Sequence, residues 1–187
     1  MAENNKKLEL LLWIDLEMTG LSIDSDVILE IASLITDGQL NSIAQGPHIV
    51  IHHDDAILAR MDTWCTQQHT KSGLVREVRE SVVSIEEAQE QTVAFVQQHS
   101  KKKDLILCGN SIWQDRLFIQ KHMPQLATHL HYKMIDVTSV QQLIKRWYPN
   151  NPLIEFKKTD SHRALPDIKE SLAELAHYRT NFFVPSL

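Results

Sequence analysis

No apolar run in this sequence approaches the about 18 uninterrupted residues that a membrane span needs, and the polar start, MAENNKK, lacks the apolar segment of a secretory leader. A soluble protein acting in the cytoplasm is therefore expected. Cysteine is scarce: Cys65 and Cys108 are the only two, with no CxxC pairing. Cys108 lies in the apolar run LILC, which favours a small buried thiol over a disulfide. A basic surplus is missing as well. The formal net charge is −5, which argues against a broad basic face gripping long nucleic acid, while leaving room for a short anionic substrate held by a few local groups. The single basic run, Lys101–Lys103, reads as a solvated helix C-terminal cap favoured by the helix dipole. Internal repeats, low-complexity segments and linkers are also lacking, so the 187 residues, 43% of them hydrophobic, are expected to form one domain, residues 1–187.

What stands out against these absences is LLLWIDLEMTGL, Leu10–Leu21, an apolar run that admits two carboxylates. In an extended strand, Leu12, Ile14 and Leu16 point one way and Trp13, Asp15 and Glu17 the other. Buried carboxylates must be paired, hydrogen-bonded or on a metal. The alternative, that the strand ends at Ile14 and DLEMTG is its solvated exit loop, stands beside this reading on the stretch alone.

Val27–Thr36 and Gly46–His52 are rich in strand-formers and complete an expected antiparallel meander. Short helices are predicted over Asp55–Arg60, Asp62–Thr70 and Gly73–Glu80. A longer one opens with the capping-box pattern at Ser84 and runs to about His99. Strand Leu105–Cys108, helix Ser111–Met123, strand Lys133–Asp136, helix Val137–Trp147 and a last helix from Leu165 to about Arg179 follow. Strands first, then strands and helices in alternation, imply an α/β sheet flanked by helices.

Further acids sit where acids are uncommon. Asp115 shares its helical face with Ser111, Phe118 and Ile119, so it turns inward. The preceding Gly109-Asn110-Ser111 makes the strand-to-helix turn or an ordinary N-cap. In SHRALPDI the proline marks a first helical turn, placing Asp167 on the helix and His162 on the loop before it. Taken singly, Asp167 reads as a first-turn acid and His162 as one surface histidine among ten.

Asp-x-Glu on a strand, an inward Asp on a middle helix and His-x4-Asp entering the last helix, in that order, resemble the DEDDh family of 3′→5′ exonucleases. Within that family the phrases DLEMTGL, MDTWC, HTKSGL, CGNSIWQDR and SHRALPDI are similar to the oligoribonucleases over nearly the whole chain. The resemblance implies the RNase H-like exonuclease fold, a mixed five-stranded sheet flanked by helices. It also implies hydrolysis of short oligoribonucleotides, especially dinucleotides, to 5′-mononucleotides at the end of RNA degradation. Two divalent metal ions, Mg²⁺ or Mn²⁺, would be held by Asp15, Glu17, Asp115 and Asp167, with His162 as general base. Such chemistry needs a neutralised phosphate, a deprotonated in-line water and a stabilised leaving oxygen, which two ions about 4 Å apart supply. Neutral imidazole is required of the base, so activity is expected to rise with pH through the histidine range.

By the same resemblance Leu21 wedges between the two bases and Trp64 stacks or packs near them. His69, Ser111, Lys133 and Thr138 surround the 5′ phosphate, and Tyr132 of a homodimer partner completes the site. Read alone, Leu21 is equally a core residue, Trp64 helix packing and His69 a helix C-terminal residue. Lys133 and Thr138 depart from the family's more common arginine and serine, and Trp113 from a small glycine. Lysine lacks guanidinium's bidentate fork. The alternative within the fold is a DEDDh exonuclease acting on longer DNA or tRNA ends. A phosphatase built on Asp15 is echoed by DLEMT, but Glu17 replaces the second Asp and His162 would have no role; a non-catalytic oligonucleotide-binding module would leave the acids unexplained.

Overall fold

Alternation carries through the first strand without a break. A computed structural model describes residues 10–100, 105–159 and 162–184; the expected Lys101–Lys103 cap and Ser161 of SHRALPDI lie outside the described residues. Strand β1 spans Leu11–Met18 and passes straight through both acids. Leu12, Ile14 and Leu16 enter one core, and Leu11 and Trp13 the other. The exit-loop reading is therefore overturned: Asp15 pairs with Ala32, and Glu17 with Glu30, across an antiparallel ladder to β2 (Ile28–Thr36).

All nine residues of β2 are buried, and its outer neighbour β3 spans Ser42–Val50. The latter starts four residues before the expected Gly46, because Gly46 and Pro47 sit at a register shift inside the strand rather than at its turn. On the other side of β1, β4 (Leu105–Gly109) and β5 (Leu130–Asp136) pair in parallel. The order β3-β2-β1-β4-β5 makes one mixed five-stranded sheet with β1 at its centre.

Between β3 and β4 come α1 (Asp55–Leu58), α2 (Thr63–Lys71), α3 (Leu74–Glu80) and α4 (Ile85–His99). The capping box at Ser84 and Glu87 is formed in both directions. Then follow α5 (Trp113–His122), α6 (Pro124–Ala127), α7 (Val137–Trp147), a 3₁₀ turn at Pro152–Ile154 and α8 (Ala164–Phe182). Pro124, directly after the expected helix Ser111–Met123, starts α6, since a proline costs nothing at a first helical position. Cys108 is free and buried, as expected of a small buried thiol, and burial pushes it up to about 12. Among the described residues no helix is long and apolar enough to cross a membrane.

Candidate active site

The site forms where the end of β1 meets the starts of α5 and α8. Asp15, Glu17 and Asp167 bring carboxylate oxygens to within 4.8 Å of one another. Asp115, only 6% exposed on α5, accepts a hydrogen bond at 3.0 Å from the backbone N–H of Leu16, the residue between the two strand acids. One helix acid is thus fixed to the strand that carries Asp15 and Glu17.

Crowding and burial act together on these groups. Burial, followed by the charges of Asp115, Glu17 and Asp167, holds Asp15 well above the usual carboxylate range. Burial, then Asp167 and Glu30, pushes Glu17 up to about 8, and burial pushes Asp115 up to about 7 against hydrogen bonds that favour its charged form. Without a cation the cluster therefore retains protons at neutral pH. All-oxygen, partly buried donors that cannot ionise together fit a hard divalent cation, which would replace those protons.

That arrangement sets a sign for stability. A carboxyl whose folded pKa lies above its unfolded value stabilises the fold fully below the unfolded value, about 4.3 for Glu, and loses that contribution as pH rises through the folded one. The metal-free protein is expected to melt at progressively lower temperature from about pH 5 to pH 8, the window set by Glu17 and Asp115. Saturating Mn²⁺ should flatten the decline. Thermal melts across this range check both halves, and a metal-free melting temperature that rises with pH would contradict the cluster's electrostatics.

The remaining sequence-predicted residues fall into groups. His162 is half-buried with backbone φ at 49°, and the ring of Trp64 meets its imidazole edge-on at 5.4 Å. Trp64 is 56% and Leu21 70% exposed, so neither serves as core. The turn bearing Leu21 is pinned from both ends. Asp26 accepts from Thr19 Oγ1 and from the Ser22 N–H, both at 2.9 Å, while Gln114 Nε2 on α5 donates to the Leu21 carbonyl at 2.8 Å. Gly20 permits the turn, because a Cβ there would lie 2.6 Å from the Asp26 carboxylate.

Ser111 and Thr138 meet: the Ser111 N–H donates to Thr138 Oγ1 and to Asp136 Oδ1, each at 3.0 Å. Ser111 has φ at 49°, and the α5 N-cap is Ile112, so the ordinary N-cap reading of Gly109-Asn110-Ser111 fails. Its left-handed turn aims the serine at the α7 start instead. Trp113, the first residue of α5, is 52% exposed and leaves Asp115 inward. Tyr132 is 74% exposed, and Lys133 lies over its ring with Nζ 5.7 Å from the centroid.

His69 lies on the acid side. It is 2% exposed, and its Nε2 sits 2.9 Å from the Met18 carbonyl, a pairing in which that nitrogen donates. Its Nδ1 has no hydrogen-bond partner and stands 3.8 Å from Glu17 Oε2. Burial, then His162, holds the imidazole below its ordinary pKa, so a neutral ring faces a Glu17 that itself favours the protonated form.

Sequence reasoning missed a set of charged residues behind the site. Glu30, fully buried, accepts from Arg163 Nη2 at 2.8 Å, from the Ala164 N–H at 2.9 Å and contacts His48 Nε2 at 2.5 Å. Burial pushes Glu30 up, but those hydrogen bonds outweigh it and hold the carboxylate below its ordinary value. Glu174, 1% exposed on α8, gathers Asn110 Nδ2, Gln141 Nε2, Tyr178 OH and Lys158 Nζ, and so ties the β4–α5 turn to α7 and α8. One sequence signal existed for both: an acid inside an apolar strand or on the inner face of a helix needs a partner.

A family model described as "Exonuclease" matches residues 12–175. Curated relatives named oligoribonuclease include those of Pseudomonas putida, 53% identical over 172 residues (92% of this chain, 95% of the relative), and Vibrio cholerae, 53% over 173 residues with the same coverage. The Pseudomonas aeruginosa relative is 52% identical over 172 residues. Among solved structures, exonuclease I of E. coli in a zinc-bound complex with single-stranded DNA superposes with TM-score 0.74 at 13% identity, over 94% of this chain and 41% of that one. Exonuclease I of Methylocaldum szegediense gives 0.70 at 15% identity, over 92% and 41%. The chain spans about two fifths of those exonuclease I structures, and at such identity the likeness concerns the fold.

Proposed function

The chain belongs to the oligoribonucleases of the DEDDh exonuclease family and is a 3′→5′ exoribonuclease that uses divalent metal, and from this premise we propose that its substrates are the shortest RNAs, dinucleotides above all. The observation that carries the reading is the carboxylate cluster at the start of α8: Asp15, Glu17 and Asp167 within 4.8 Å, Asp115 tied to Leu16, and His162 just before the helix that carries Asp167.

In this reading Asp15, Glu17, Asp115 and Asp167 hold two Mg²⁺ or Mn²⁺ ions. The ions supply charge neutralisation on the phosphate, an acidified water and stabilisation of the leaving 3′ oxygen. His162, as a neutral imidazole, takes the proton of the attacking water at one ring nitrogen. Leu21 and Trp64, both exposed at the rim, give apolar surface for two bases. Ser111 and Thr138 at a left-handed turn, with His69 and Lys133, receive the 5′ phosphate, and the products are 5′-mononucleotides. The Thr138 hydroxyl accepts the Ser111 N–H, a role that serine or threonine fills equally. Residues 1–187 act as one exonuclease domain in the cytoplasm, and a homodimer brings the partner's Tyr132 to the site.

A site of a few local groups suits a chain of net charge −5. The alternative, longer DNA or tRNA ends, requires a phosphate-tracking groove. A length series from two to seven nucleotides with Mn²⁺ separates the two: kcat/KM should be highest for the two-mer and fall with each added nucleotide. Equal or rising values with length would overturn the short-substrate reading.

A further inference from the structure

Arg163 follows His162 directly, and its guanidinium spans two carboxylates on different elements. Nε and Nη2 donate to Glu30 on β2, at 3.0 and 2.8 Å, while Nη1 and Nη2 donate to Glu77 on α3, at 3.0 and 2.6 Å. Its backbone is held as well. The Ala164 N–H donates to Glu30 Oε2 at 2.9 Å, and the Arg163 carbonyl accepts the Asp167 N–H at 3.0 Å. His162 itself carries a left-handed φ of 49°, a conformation that a non-glycine residue keeps only where its surroundings impose it.

A buried ion pair is a weak device for stability, since desolvation offsets most of the attraction. Here it also carries a penalty, because Glu30 lies across the ladder from Glu17 and its charge acts on the acid cluster. Geometry is what the bridge supplies. A fork of two bidentate pairs fixes a plane in a way that a point charge cannot. The second jaw, Glu77, lies on α3, the helix after α2, which carries Trp64 against the His162 ring. We infer that Arg163, clamped between Glu30 and Glu77, is a positioning residue that sets the place of His162 over the acid cluster.

This inference rests on His162 being the general base, and the test keeps the two apart. Glu77→Gln opens the outer jaw, whose side chain is 35% exposed, and leaves the buried Glu30 pair intact. Steady-state hydrolysis of a dinucleotide with saturating Mn²⁺ is measured for Glu77→Gln and Arg163→Lys, each in the wild-type and the His162→Ala background. In the wild-type background Glu77→Gln should lower kcat roughly 10- to 100-fold, the scale of an ångström-level misplacement, with KM and the Mn²⁺-induced thermal shift unchanged. Arg163→Lys should do the same or more. In the His162→Ala background Glu77→Gln should have no further effect on kcat, because the group it acts through is gone. Equal losses in both backgrounds, or wild-type kcat in Glu77→Gln, overturn the clamp. Wild-type kcat in His162→Ala alone overturns the base assignment instead. If Arg163→Lys fails to fold, the Glu77→Gln pair decides the question by itself.

Discussion

His162→Ala is expected to lower kcat on a dinucleotide by about 10²–10⁴-fold, the usual contribution of a positioned general base, with little change in KM. The imidazole is half-buried and stands edge-on to the exposed Trp64 ring at 5.4 Å. Its removal should therefore leave the fold and the metal cluster in place. The loss must fall on the chemical step. The loss should appear in kcat with Mn²⁺ saturating. A variant with wild-type kcat, or one that loses activity through KM alone, would remove His162 from proton transfer.

Chelation is expected to have an effect of similar size. The cluster collects four carboxyl groups, of which Asp15 lies well above its ordinary pKa and Glu17 and Asp115 reach about 8 and 7. Removing the cation takes away several kcal/mol of transition-state stabilisation, which corresponds to about 10³-fold in rate or more. Asp115→Asn should reproduce that loss in the presence of metal. The amide keeps the size of the carboxyl but gives up one negative charge, while Leu16 can still donate to its oxygen. Metal should also stabilise the fold: at 100-fold over its dissociation constant linkage gives about 2.7 kcal/mol, or about 5–10 °C in melting temperature for a chain of this size. Asp115→Asn should show a smaller shift. Activity that survives chelation, or a variant with an undiminished thermal shift, would contradict the assignment of the acids.

The order of elements was legible because the patterns that encode it are local. Alternation in LLLWIDLEM gives the two faces of β1, the capping box at Ser84 starts α4, and Asp115 shares a helical face with Phe118 and Ile119, which are buried with it. The proximity of Asp15, Glu17 and Asp167 needed a family resemblance, since no periodicity links residues on β1 and α8. For the acids behind the site the sequence signalled only that partners were needed, not which residues they are. Arg163 meets Glu30 across 133 residues and Glu77 across 86, and nothing in the wording of SHRALPDI says which carboxylates receive the guanidinium. The N-cap alternative at Ser111 failed for a related reason, while the strand-to-helix turn held. A serine after Gly-Asn reads as a cap, whereas its partners, Asp136 and Thr138, come from the end of a strand and the start of a helix far along the chain.

The central claim is that the four acids together hold the catalytic cations, and anomalous diffraction from crystals soaked in Mn²⁺ with a dinucleotide tests it most directly. Two anomalous peaks about 4 Å apart, bounded by Asp15, Glu17, Asp115 and Asp167, with the scissile phosphate against them and His162 facing the attack side, are the predicted result. Peaks elsewhere, or dinucleotide bound with no peak among these carboxylates, would contradict it.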